Sequence, residues 1–180
     1  MKVSLCSVML ILVVVTTVGC QSRSDGLTPA QKEAVAASAK SVVDTVFQKS
    51  NQLDFAGALA VYSNDPDARY IENGVLVPSL EALRQEYAEL GPTLELVENR
   101  IDSESVLVLG EDVAAVTVPV HFRIKAKGRP EYAGQYVWSG IVQRRNGTWR
   151  LVQSHESWLH AEQVMAAISP APAAQPAVDR

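Results

Sequence analysis

Three histidines, two cysteines and the run Ser154-His155-Glu156 are the residues whose chemistry is easiest to imagine in this 180-residue chain. His155 is the candidate proton carrier, because imidazole titrates near neutral pH and an apolar pocket can move its pKa across the working range. The commoner role for such a residue is that of a structural histidine hydrogen-bonded inside the fold. Ser154, His155 and Glu156 cannot form a triad if they lie on a strand, since successive strand side chains point to opposite faces. His121, His155 and His160 have no short ligand spacing, so no metal is expected, and no cofactor either. His121 and Arg123 together could hold an anion or simply form a solvated face. Cys6 falls in an apolar leader and Cys20 at its end, which leaves no pair for a disulfide and no thiolate nucleophile in the body of the chain.

The elements that would position these residues are legible from periodicity. Val113 to Lys125 alternates, with Ala114, Val116, Val118, Val120, Phe122 and Ile124 apolar, as an antiparallel strand with one buried face requires. That apolar face could be core or a partner surface. Tyr132 to Arg145 and Thr148 to Trp158 read as two further strands joined at Asn146-Gly147, a strong hairpin signal. If that turn has two residues, Arg145 faces Thr148, Val142 faces Leu151, Trp138 faces His155 and Tyr136 faces Ser157. Tyr136, Trp138, Trp149 and His155 then share one face, taken as the concave one, and a one-residue slip would undo the assignment. Trp149 is expected against the first helix near Val42 or Val46.

Upstream, Thr28, Pro29 and Gln31 mark a helix start with a capping box, and Val35, Ala39, Val42, Val43, Val46 and Phe47 form one apolar stripe. A short helix follows from Asn51 or Asp54 through Phe55, Leu59 and Tyr62. Ala68 to Val77 reads as a short strand turning at Asn73-Gly74. Ser79 caps a third helix carrying Leu80, Leu83, Tyr87 and Leu90, ended by Gly91-Pro92. Leu94 to Leu109 is extended, and a final short helix holds Ala161, Val164, Met165 and Ile168. Helices first and strands after predict an α+β fold.

Composition narrows the function. Sixteen Lys plus Arg against twenty Asp plus Glu give a net charge of −4, and no basic cluster exceeds a pair, so nucleic-acid binding is not expected. Lys2 precedes seventeen uncharged residues, Val3 to Gly19, too short a run to span a bilayer but shaped like a secretory signal. Thr17-Val18-Gly19-Cys20 resembles the lipobox of bacterial lipoproteins, apart from Thr17 in place of the usual leucine. That resemblance implies cleavage before Cys20 and its acylation, and Gln21 in place of aspartate favours the outer membrane, facing the periplasm. The expected organisation is a signal peptide over 1–19, a polar tether over 20–27, a folded domain over 28–168, and a Pro/Ala-rich disordered tail over 169–180.

The stretch from Ser139 to Ser157, with Gly147, Trp149, Leu151, His155 and Ser157, resembles the closing hairpin of the NTF2-like superfamily, particularly its SnoaL-like branch. The resemblance spans roughly residues 30 to 160 and implies a cone, a curved antiparallel sheet wrapped around N-terminal helices, whose open end is a natural ligand pocket. It implies little about activity, because such folds serve many functions. On that fold Tyr70, Tyr136, Trp138 and His155 are the expected ligand contacts. Enzymes of the family need a pocket carboxylate and an oxyanion donor. Glu72 or Asp67 could supply the first and Tyr70 the second, but none sits in a matching motif and on an edge strand they would be surface charges. The leading expectation is therefore a lipid-anchored envelope domain that binds a small apolar ligand or acts as a non-catalytic accessory. An isomerase, dehydratase or cyclase comes second, and a homodimeric assembly module third.

Overall fold

The computed structural model describes residues 26–169 of the chain. The expected leader, the lipid-acceptor Cys20 and the Pro/Ala-rich tail beyond Ser169 lie outside the described residues. Helix α1, Pro29–Asn51, begins at the expected capping box, in which the Thr28 hydroxyl and the Gln31 side chain each accept from the other's backbone N–H. All six residues of the predicted stripe are buried. Asp54 caps the short α2, Phe55–Leu59, by accepting from the Gly57 N–H at 2.9 Å. Strands β1, Arg69–Glu72, and β2, Val75–Val77, form a small hairpin, and α3, Leu80–Leu90, follows the Ser79 cap. Gly91 stays right-handed at φ −50°, so α3 tightens into a 3₁₀ turn over Gly91–Thr93 instead of ending in a left-handed glycine cap.

The extended stretch after α3 is two strands, β3 (Leu94–Ile101) and β4 (Ser105–Gly110), broken at 102–104. Both pair with the long β5, Val113–Ala126. Strands β6 (Tyr132–Arg145) and β7 (Thr148–Trp158) follow, then α4 (Ala161–Ile168). The strand order is β2-β1-β7-β6-β5-β3, with β4 also on β5. The architecture is α+β, an open curved sheet with the N-terminal helices on its inner face. One pairing departs from the expected antiparallel sheet: β1 runs parallel to β7, matching Arg69 to Gln153, Tyr70 to Ser154 and Ile71 to His155. The short hairpin is thus built into the sheet beside β7.

The β6–β7 register agrees with the turn arithmetic only near the turn. Asn146 (φ 51°) and Gly147 (φ 78°) make the two-residue turn, and Arg145 pairs with Thr148 and Val142 with Leu151. A bulge at Val152 then shifts the pairing by one residue, so that Gly140 faces Ser154, Ser139 faces His155, Trp138 faces Glu156 and Tyr136 faces Trp158. Leu151 is also where the other edge of β7 changes partner: its N–H and C=O bond Val61 and Ser63, whereas β1 takes over from Gln153. A bulge adds one residue to one strand and inverts the facing of everything beyond it. The expected pairs of Trp138 with His155 and Tyr136 with Ser157 are therefore corrected.

Candidate functional site

The bulge decides which β7 side chains enter the cone. On β6, Tyr136, Trp138, Gly140 and Val142 are all buried, which fixes the inner face. Their partners beyond Val152 are Ser154, Glu156 and Trp158, and His155 is turned to the opposite face beside Ser139 and Ile71. The parallel pairing with β1 adds a second carboxyl. Tyr70 is level with Ser154 on the inner face, so two residues further along each strand Glu72 comes alongside Glu156.

These residues line a cavity of about 440 Å³ between the inner sheet face, α3, α4 and the end of α1. Its walls are mostly apolar or aromatic, including Phe55, Val97, Ile124, Val164 and Ile168. Tyr136 and Trp158 stack with centroids 4.2 Å apart and an interplanar angle of 16°. Phe55 and Tyr87 pack at 5.1 Å. A narrow cleft of about 40 Å³ adjoins the cavity, shares Tyr87, Tyr136 and Glu156 with it, and reaches inward to Trp138 and Phe47.

The polar groups are held by specific bonds. The Trp158 Nε1–H donates to Glu156 Oε2 at 2.9 Å, and the Tyr87 hydroxyl donates to Glu72 Oε1 at 3.0 Å. The Tyr136 hydroxyl donates to Asn99 Oδ1 at 3.0 Å, and Asn99 is itself fixed by Asn51 at the end of α1 through its backbone N–H at 2.7 Å. Burial pushes the hydroxyls of Tyr62, Tyr87 and Tyr136 well above their usual range, so they stay protonated donors at neutral pH.

Both carboxyls are displaced upward. Loss of solvation, then the neighbouring charges of Glu156 and Glu86, raise Glu72 to about 8 against the opposing bond from Tyr87. Glu156 is raised to about 7, first by loss of solvation, with a further push from Glu86, while the Trp158 bond works the other way. The two are close enough to titrate together, and near neutrality the pair shares protons that isolated glutamates would have lost.

The expected contacts are distributed differently. Tyr136 lines the cavity, and Trp138, 1% exposed, reaches only the inner cleft. Tyr70, also 1% exposed, is packed in the core against Tyr62, its hydroxyl donating to the Ser63 carbonyl at 2.6 Å. Neither Tyr70 nor His155 lines the cavity. Asp67 is exposed in the loop before β1. Glu156, which the unbulged register turned outward, and Trp158 are the residues that sequence reasoning missed. The available signal was the adjacent apolar pair Leu151-Val152, where the apolar phase of β7 changes from odd positions to the even Trp158.

Trp149 is half-buried further toward the turn. It lines a surface pocket together with Leu27, Gln31 and Val35 around the start of α1, with the Arg144 guanidinium 5.6 Å over its ring. On the outer sheet face Arg123 is already engaged by Glu98 and Glu131, and His121 by Asp102 and Gln135, which leaves no open anion site of the kind considered for that pair. Among the described residues no group of three or more His, Cys, Asp or Glu is arranged to hold a metal ion.

A model of the SnoaL-like domain matches residues 39–161. No curated protein matches the chain. Solved structures share the fold. A candidate scytalone dehydratase from Novosphingobium aromaticivorans superposes with a TM-score of 0.66 at 10% identity, over 73% of this chain and 89% of its own. The hexachlorocyclohexane dehydrochlorinase LinA-type3 from Novosphingobium barchaimii gives 0.64 at 11% identity over 74% and 92%. A nuclear transport factor 2-like protein from Salmonella enterica gives 0.61 at 15% identity over 73% and 93%. At such identities the likeness concerns the fold.

Proposed function

The chain belongs to the SnoaL-like family, and from that premise we propose that its cavity binds a small, mostly apolar molecule carrying one polar group, held at that group by Glu156 and Glu72. The observation that carries this reading is a cavity of about 440 Å³ with apolar and aromatic walls and two adjacent carboxyls. Pockets of this kind take their affinity from the walls and their orientation from a few placed polar groups. We further propose that Cys20 tethers the domain to the cell envelope at the outer membrane, on the support of the apolar run and the Gly19-Cys20 junction.

A second reading, proton transfer on the bound molecule, is favoured by the carboxyl pair itself. A general base works best with a pKa near the operating pH, and burial has moved both glutamates there. In that reading Glu156 takes the proton and Glu72, bonded to Tyr87, keeps or returns one. The LinA-type3 and scytalone dehydratase-like neighbours are in keeping with such eliminations, though they share only the fold.

The test is a melting-temperature and tryptophan-emission screen of the full chain against small neutral, basic and acidic cyclic compounds. Binders should perturb emission, because Trp158 is in the wall, and Trp158→Phe should remove most of that change. His155→Ala should leave affinity within about twofold, since its side chain is on the other face of the sheet. No shift with any class would sink the binding reading. Chemical change of a binder over hours, lost in Glu156→Gln, would establish the catalytic one.

A further inference from the structure

The charges around the cavity are all of one sign. Glu72 and Glu156 sit side by side on the sheet, Glu86 adds a third carboxyl from α3, and no Lys, Arg or His lines the walls. None of the three is in an ion pair among the described residues, although nine other carboxylates are. Each of the two sheet glutamates receives a single neutral hydrogen bond, from an aromatic side chain to one carboxyl oxygen. Half-buried carboxyls without a cationic partner lose solvation when ionised, and an arriving positive charge would relieve that cost. The lining also holds four aromatic rings, Tyr136 stacked on Trp158 and Phe55 packed on Tyr87, whose π systems attract a cation that reaches a ring face.

The cation cannot easily be a hard metal ion. Calcium and magnesium need six or more oxygen ligands in a hydrated shell, whereas these walls are apolar and no metal-competent cluster is found among the described residues. We infer that the cavity's ligand is an amine, a basic nitrogen on an apolar or aromatic body, with the nitrogen seated between Glu72 and Glu156 and the body against Tyr136, Trp158 and α4. This inference rests on the small-molecule reading above and adds the substrate class. A neutral ligand would leave Glu72 and Glu156 without a counter-charge once they ionise, and an anionic one would oppose them and the exposed Glu86.

Matched compounds test it. Isothermal titration of the full chain at pH 8 with phenethylamine, 2-phenylethanol and 3-phenylpropionate, and with cyclohexylamine and cyclohexanol, compares head groups on constant bodies. The amines should bind about tenfold or more tighter than the alcohols, and the carboxylate weakest. Glu156→Gln and Glu72→Gln should each erase most of the amine preference, so that amine and alcohol on the same body then bind within a few-fold of each other, with the unfolding midpoint confirming that each variant is folded. Alcohols binding as well as amines would overturn the amine inference and leave the pocket reading standing. A melting shift with calcium or magnesium but none with amines would also overturn it. If no compound of any class binds at millimolar concentration, the pocket reading fails and the inference with it.

Discussion

At the scale of single residues, Glu156 lines the cavity beside Glu72, and its environment predicts a measurable pH dependence. Loss of solvation pushes Glu156 up to about 7 and Glu72 up to about 8, above the ordinary 4.5 of a glutamate that the unfolded chain would show. The folded chain therefore holds protons that the unfolded chain has released, and stability falls as pH rises through the window between those values. The opposite linkage, from carboxylates lowered by partners such as Asp54 and Glu131, acts at lower pH and does not cancel it. Between about pH 5 and about pH 8 the unliganded protein should lose on the order of a few kcal/mol from the pair together. Denaturant melts across that range check this, and Glu156→Gln should flatten the dependence. A wild-type curve that rises or stays level over the window would contradict the placement of the pair.

At the scale of elements, the site depends on one extra residue in β7. Without the bulge at Val152 the hairpin register would carry His155 inward and Glu156 outward, and the cavity would lose its carboxyl pair. The partner strand is adapted to the same point. A Cβ on Gly140 would lie 2.5 Å from the Trp138 ring, 2.8 Å from Leu151 Cδ1 and 2.8 Å from the Gln153 backbone carbonyl. The last of these is main chain beside the bulge and cannot swing aside. Gly140→Ala should therefore destabilise the fold by about 1–3 kcal/mol, the usual range for overpacking, and weaken ligand binding as Glu156 shifts. Chemical denaturation and the same titrations measure both effects, and a neutral substitution would show that the strands can move apart at low cost.

At the scale of the whole molecule, the folded domain is proposed to work from a membrane surface. Two or more acyl chains hold a protein stably on a bilayer, where one holds it only marginally. The wild-type chain should fractionate with membranes and Cys20→Ala should not. Intact mass should show a mature protein beginning at a lipid-bearing Cys20, and an unmodified chain starting at Met1 would refute the anchor.

Local physics by itself determined most of the elements. Helix caps at Thr28, Asp54 and Ser79 and the turn at Asn146-Gly147 involve bonds between residues a few positions apart, so the sequence carries them whatever the rest of the chain does. The apolar stripe of α1 and the alternation of β5 are legible for the same reason, because burial of one face imposes a period that survives in any tertiary context. The site was legible only in pieces. Tyr136 and the cone followed from pattern and resemblance, whereas the joining of Glu72 to Glu156 needed two non-local facts. One is the parallel pairing of β1 with β7 across eighty-four positions, and the other is the bulge where β7 exchanges Val61–Ser63 for β1. Neither leaves a local signature strong enough to displace the turn arithmetic. A strand's period of two converts a one-residue shift into an exchange of faces, and only the tertiary structure could decide which of His155 and Glu156 faces the cavity.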